Sequence, residues 1–171
     1  DIEPSRGLGD VYKRQIIVDV KTKIITQFVR DLSFENPNGP GSFQPGSDRP
    51  NINANVDVKA QNRKDTNIYE VELNVSVNAS RADQSLYIVD LKYVGIFEIE
   101  NLTDDVKEAF LLVECPRQLF PFARRIIYDL HADGALPPLM LDPVNFAELY
   151  KKKTSNNSVS YTHLRAHETA Q

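Results

Sequence analysis

Residues 69–78 constrain this chain more than any other stretch. Tyr69, Val71, Leu73, Val75 and Val77 alternate without interruption with Glu70, Glu72, Asn74, Ser76 and Asn78. A period of two puts the apolar set on one face of a strand and the polar set on the other. Such a strand is half buried, which an antiparallel sheet covered on one side provides. Residues 51–60 alternate in the same way, with Ile52, Ala54, Val56 and Val58 opposing Asn53, Asn55, Asp57 and Lys59. In 85–100, Tyr87, Val89, Leu91 and Tyr93 form one face. The other holds Leu86, Ile88, Asp90, Lys92 and Val94, a mixed set that is not plain solvent surface. Gly95 interrupts this strand, where a bulge or a close packing contact fits.

Residues 16–34 contain a fourth β-like stretch. By parity, Ile24, Phe28, Leu32 and Phe34 share one face, and Ile25, Gln27, Val29, Asp31 and Ser33 the wetter one. Residues 36–50 are too dense in Pro, Gly, Asn and Ser for regular structure and predict a long crossover loop. Loops of that length are usually functional.

After Asn101 the period changes. Thr103 offers an N-cap, with Asp104 and Asp105 in the first turn. Val106, Phe110, Leu111 and Val113 repeat at helical spacing, and Pro116 and Pro121 predict a break or kink near 114–117. The helix resumes over 119–131, with Phe120, Ala123, Ile127 and Leu130 inward, and stops at Asp133-Gly134. A proline-rich loop covers 135–143, and a short helix covers 144–153. The expected fold is α+β. A four-stranded antiparallel sheet, a meander with a long crossover loop, carries one long kinked helix and one short C-terminal helix on one face.

A chain of 171 residues buries a core without disulfides or metals. The net charge of −4 argues against nucleic acid as the main partner. No apolar run approaches the roughly 18 residues a membrane span needs. Neither a signal peptide nor a second cysteine is visible, so a reducing cytoplasm is the expected compartment. Residues 1–15 and 154–171 lack a continuous apolar face and are expected to be disordered or non-native tails around a domain at 16–153.

Catalytic signatures are missing from the sequence. No glycine-rich phosphate loop precedes a helix, and no G-x-S-x-G elbow is present. Cys115 has apolar neighbours and reads as a small buried hydrophobe. It stands 16 residues from His131 on one helical segment, roughly 20 Å or more along the axis and beyond a nucleophile–base contact. His163 and His167 have an i, i+4 spacing but lie in the terminal stretch. The expectation is a non-enzyme with no catalytic residue, no metal and no cofactor.

Three blocks carry a family resemblance. ECPRQLFPFARR at 114–125, followed by GALPPLMLDPVNF at 134–146, closely resembles the bacterial protein-export chaperone SecB. DLSFENPN at 31–38 and Gly95-Ile96-Phe97 agree in order and spacing. The resemblance implies a homotetramer, a dimer of dimers, that holds unfolded preproteins without ATP and delivers them to the motor SecA. It assigns Asp31, Glu35, Ile88 and Asp90 to the SecA contact, on an exposed acidic surface where Asp31 shares a strand face with Val29. The client-groove candidates are Phe43, Pro137, Leu139, Met140 and Phe146, and the oligomer-interface candidates are Val89, Leu91 and Tyr93. Direct membrane insertion is not expected. Two other readings stay open: a SecB-like chaperone dedicated to one partner such as an antitoxin, and a small-molecule-binding α+β domain.

Overall fold

The computed structural model describes residues 20–45 and 48–156, with two short backbone strands at 162–164 and 166–168. The expected tail 1–15 lies outside them. Four long strands form first: β1 (Lys21–Glu35), β2 (Asn51–Asn62), β3 (Ile68–Arg81) and β4 (Gln84–Glu100). All their pairings are antiparallel, and their order across the sheet is β1-β4-β3-β2. The last three make a meander. The crossover therefore carries the chain from one edge of the sheet to the other, with a 3-10 turn over Gly39–Phe43. Ala82 and Asp83 both have positive φ, which gives the β3–β4 hairpin the twist of a type I′ turn.

The alternation in β3 has the predicted consequence. Tyr69, Val71, Leu73, Val75 and Val77 are buried, whereas Glu70, Glu72, Asn74 and Ser76 are half-buried. The buried face continues through Val89, Leu91, Phe97 and Ile99 of β4 and Ala54, Val56 and Val58 of β2. Helices cover this face. α1 (Asp104–Ala109), a π turn (Phe110–Glu114) and α2 (Cys115–Asp133) run without a break. The predicted interruption is thus a π turn immediately before Pro116. A proline ring clashes with the carbonyl four residues earlier, and the wider turn relieves this without ending the helix. Thr103 stands at the N-cap, but its side chain makes no capping bond. After β5 (Leu139–Leu141), Asn145 caps α3 (Phe146–Asn156) by accepting the Glu148 N–H at 3.1 Å. The strands β6 (Thr162–Leu164) and β7 (Ala166–Glu168) pair with β2 and β5.

Two features depart from the sequence reading. Strand β1 has two register shifts, at Ile24/Thr26 and Val29/Asp31. Each inserts one unpaired residue and reverses the parity downstream. Ile24, Leu32 and Phe34 lie opposite core-facing Phe97, Leu91 and Val89, but Phe28 lies opposite Val94 on the outer face. Val29 faces the core side opposite Tyr93, and Asp31 faces outward opposite Lys92, so these two do not share a face. The end of α2 differs too. Gly134 has φ −87, and Ala135 adopts the left-handed conformation at φ +56. Leu136 N–H donates to the His131 carbonyl and Ala135 N–H to that of Ala132, so the helix closes through an alanine. Gly134 is required for space: a Cβ there would lie 2.7 Å from Phe34 Cζ.

Candidate functional site

The outer face of the sheet is built by the second bulge. It turns Asp31, Ser33 and Glu35 outward, where the β1–β4 register sets them opposite Lys92, Asp90 and Ile88. Asp31, Glu35, Ile88 and Asp90 therefore stand together on two adjacent strands. A shallow concavity of about 480 Å³ adjoins them, lined by Asp31, Ser33, Asn55, Asp57, Ser76 and Asp90 among others. Burial pushes the Asp57 carboxyl above its ordinary value, partly offset by Lys153. The opposite end of this face is closed by an ion-pair network. Arg30 reaches across β4 to Glu70 at 2.6 Å and Glu72 at 3.0 Å, and Gln61 donates to Glu70 at 2.7 Å. The Arg30 hydrogen bond holds the Glu70 carboxyl below the usual carboxylate range. At this end of the outer face the charges of Glu70 and Glu72 are thus paired with Arg30.

The five groove residues divide. Met140 is 42% exposed, and Pro137 and Phe43 are half-buried. Leu139 and Phe146 are each 1% exposed and belong to the core, which corrects their assignment to a groove. Phe146 packs edge-on against Phe120 at 6.0 Å, and Leu139 takes an inward position in β5 while Met140 points out. The structure adds an apolar groove of about 380 Å³ that the sequence reading missed. Val106, Ala109, Phe110, Val113, Ala147 and Tyr150 line it, between the first helical turns and α3. Helical periodicity marks these residues as apolar, but only the placement of α3 leaves a gap between them.

The interface assignment needs the same correction. Val89, Leu91 and Tyr93 are 0%, 1% and 6% exposed within one chain, because α2 and the rest of the core cover their face. They offer no free surface to another subunit. The exposed apolar side chains lie one strand over. Val29 is 42% and Leu32 40% exposed on the core side of edge strand β1, and Phe122 of α2 is 41% exposed and stacked on Tyr93 at 6.4 Å.

Among the described residues no group of His, Cys, Asp and Glu has metal-binding proximity, and no helix is long and apolar enough to cross a membrane. Cys115 is buried, and burial followed by the Glu114 charge pushes its thiol up to about 12. Its thiolate is negligible near neutral pH. His131 stands at the other end of α2, about 24 Å away along the axis at 1.5 Å per residue.

These surfaces define an α+β protein with an open, largely polar sheet face, apolar side chains exposed at its rim, and grooves beside the helices. The family model of preprotein translocase subunit SecB matches residues 16–157. The chain is 45% identical over 131 residues to the protein-export protein SecB of Parvibaculum lavamentivorans, covering 77% of each chain. It is 44% identical over 139 residues to that of Maricaulis maris, covering 81% of this chain and 80% of the relative. A SecB-like chaperone of Mycobacterium tuberculosis, solved with a ChAD peptide from an antitoxin, shares the fold with a TM-score of 0.61 at 18% identity, over 72% of this chain and 91% of that one. The chain belongs to the SecB family. It is a SecB chaperone for preprotein export.

Proposed function

We propose that this protein holds unfolded preproteins without ATP in the cytoplasm, as a homotetramer built from two dimers, and delivers them to SecA. The observation that carries the reading is the separation of two kinds of surface. Asp31, Glu35, Ile88 and Asp90 cluster on the outer sheet face, which also carries the exposed Phe28, while Val29, Leu32, Phe122 and Met140 are exposed on the helical side and its rim. Phe43, Pro137 and Met140 are the client contacts, and the groove beside α3 is a further seat. Burying one apolar client side chain yields roughly 1.5–3 kcal/mol, whereas ordering each client residue costs about 1–2 kcal/mol. One seat binds weakly, and several seats on one oligomer raise avidity without any new contact. Val29, Leu32 and Phe122 are the surface this chain offers a second copy. The acidic cluster suits a basic surface on the motor.

The test replaces Asp31 and Glu35 together with Lys. SecA binding, aggregation of a denatured client and native mass are measured on the variant and the parent. Lost SecA affinity with unchanged client holding and a tetrameric mass is the expected result. Unchanged SecA affinity removes these residues from the contact, and a fully active monomer removes the avidity argument.

A further inference from the structure

Three segments distant in sequence meet at one buried pair. Tyr87 of β4 and His131 of α2 are each 1% exposed. His131 Nδ1 lies 2.7 Å from the Ile127 carbonyl, which only accepts, so Nδ1 carries the proton. Nε2 is therefore an acceptor, and the Tyr87 hydroxyl donates to it at 2.8 Å. The imidazole meets the Tyr87 ring edge-on at 5.0 Å.

The crossover segment closes on this pair from both sides. Phe34, at the end of β1, meets the Tyr87 ring at 6.5 Å, and Phe43, at the end of the 3-10 turn, meets it at 6.2 Å. Between them, Asn36 Nδ2 donates to the Gly134 carbonyl at 2.9 Å. Gly134 admits this approach only because it lacks a Cβ, which would lie 2.7 Å from Phe34 and 3.0 Å from Asn36 Nδ2. A loop rich in proline and glycine has little regular hydrogen bonding of its own, so its position must come from such anchors.

We infer that Tyr87 and His131 are positioning residues: a buried clamp that fixes the crossover segment, and Phe43 within it, against the end of α2. The clamp acts through Phe43 on client holding, and in that respect the inference rests on the function proposed above. The polar bond matters because it ties the Tyr87 hydroxyl to α2, and both phenylalanines rest on that ring.

The test uses the full chain and reduced, alkylated, fluorescently labelled α-lactalbumin, which stays unfolded. Tyr87→Phe removes one hydroxyl and keeps the ring. Amide hydrogen exchange of 36–45 is expected to accelerate by roughly 3–10-fold, the scale of one lost buried hydrogen bond, while β2 and β3 exchange unchanged. Client affinity is expected to fall by a similar factor. In a double-mutant cycle, Tyr87→Phe is expected to add nothing once Phe43→Ala is present. Asn36→Ala attacks the same junction from the loop and is expected to reproduce both effects, which keeps the test usable if Tyr87→Phe fails to fold. Unchanged exchange of 36–45 in a folded Tyr87→Phe protein overturns the clamp, as does unchanged exchange in Asn36→Ala if Tyr87→Phe does not fold, and additive losses of affinity overturn its action through Phe43. If Phe43→Ala binds client as the parent does, the client contact proposed for Phe43 is what fails, and the exchange rates still decide the clamp.

Discussion

Gly95→Ala tests how closely α2 packs on the sheet. Gly95 lies on the core face of β4, between Gln27 and Val71. A Cβ added there would lie 2.7 Å from Leu119 Cδ2, 2.7 Å from Phe97 Cε2 and 3.1 Å from Phe97 Cζ. Carbon atoms prefer roughly 3.5–4.0 Å. Leu119 and Phe97 are each 0% exposed, so neither withdraws without moving its own neighbours. Overpacking of this kind costs about 1–3 kcal/mol. Replacing glycine within a strand returns about 0.5–1 kcal/mol of backbone entropy. Steric cost matches or exceeds the entropic gain, and the net loss is about 0–2.5 kcal/mol. At about 2–4 °C per kcal/mol for a chain of this size, the melting temperature falls by up to about 10 °C. Urea unfolding should show a lower midpoint at unchanged slope. The same contact is probed by Leu119→Ala, which alone costs about 2–5 kcal/mol. The double variant should lose less than the sum of the two, because the alanine methyl then enters the space that Leu119 vacates. A Gly95→Ala protein more stable than the parent, or a strictly additive cycle, would refute the close approach.

Two further outcomes follow from the end of α2. Ala135→Gly should stabilise the protein by about 1 kcal/mol, since alanine at φ +56 bears a left-handed strain that glycine does not; a lower melting temperature would count against that conformation. Burial holds the His131 imidazole below its ordinary 6.5, against a weaker opposing effect of the Ile127 carbonyl. The unfolded chain therefore takes up this proton first, and stability should decline as pH falls from 6.5 towards the lowered folded value. Unfolding midpoints at pH 7.5 and 5.5 should separate more for the parent than for His131→Gln, and parallel shifts would dismiss the histidine as the source.

The parts of the fold that were legible in the sequence are those with an unbroken local period. In β2, β3 and β4 the alternation names the face that meets the covered layer, although Ile52 on it is only half-buried and Leu86 and Val94 are buried on the other side of β4. Helical spacing after Asn101 gives the class of the second layer. Membership of the family was legible in the blocks at 31–38 and 114–146, whose order and spacing survive in the chain as a whole. In β1 the period fails. A bulge adds one residue with no mark in the sequence, and two bulges moved Phe28 outward and set Asp31 and Val29 on opposite faces.

The sequence by itself determined an antiparallel sheet under a helical layer and the polarity of the two sheet faces. Both follow from local period and chemistry. Beyond the faces set by that alternation, tertiary structure decided which apolar side chains are core and which are surface. Leu139 and Met140 are adjacent and equally apolar, yet one is buried and the other exposed, because β5 lays one against the core and turns the next away. Val89, Leu91 and Tyr93 are equally suited to a subunit interface and to a core, and the path of α2 over β4 made them core. The crossover fixed the rest. By carrying the chain from β1 at one edge to β2 at the other, it left β1 with Val29 and Leu32 exposed, and it brought Phe34, Asn36 and Phe43 to the buried Tyr87–His131 pair. Contacts between residues 44 to 98 positions apart depend on the whole chain's packing, for which no local pattern stands in.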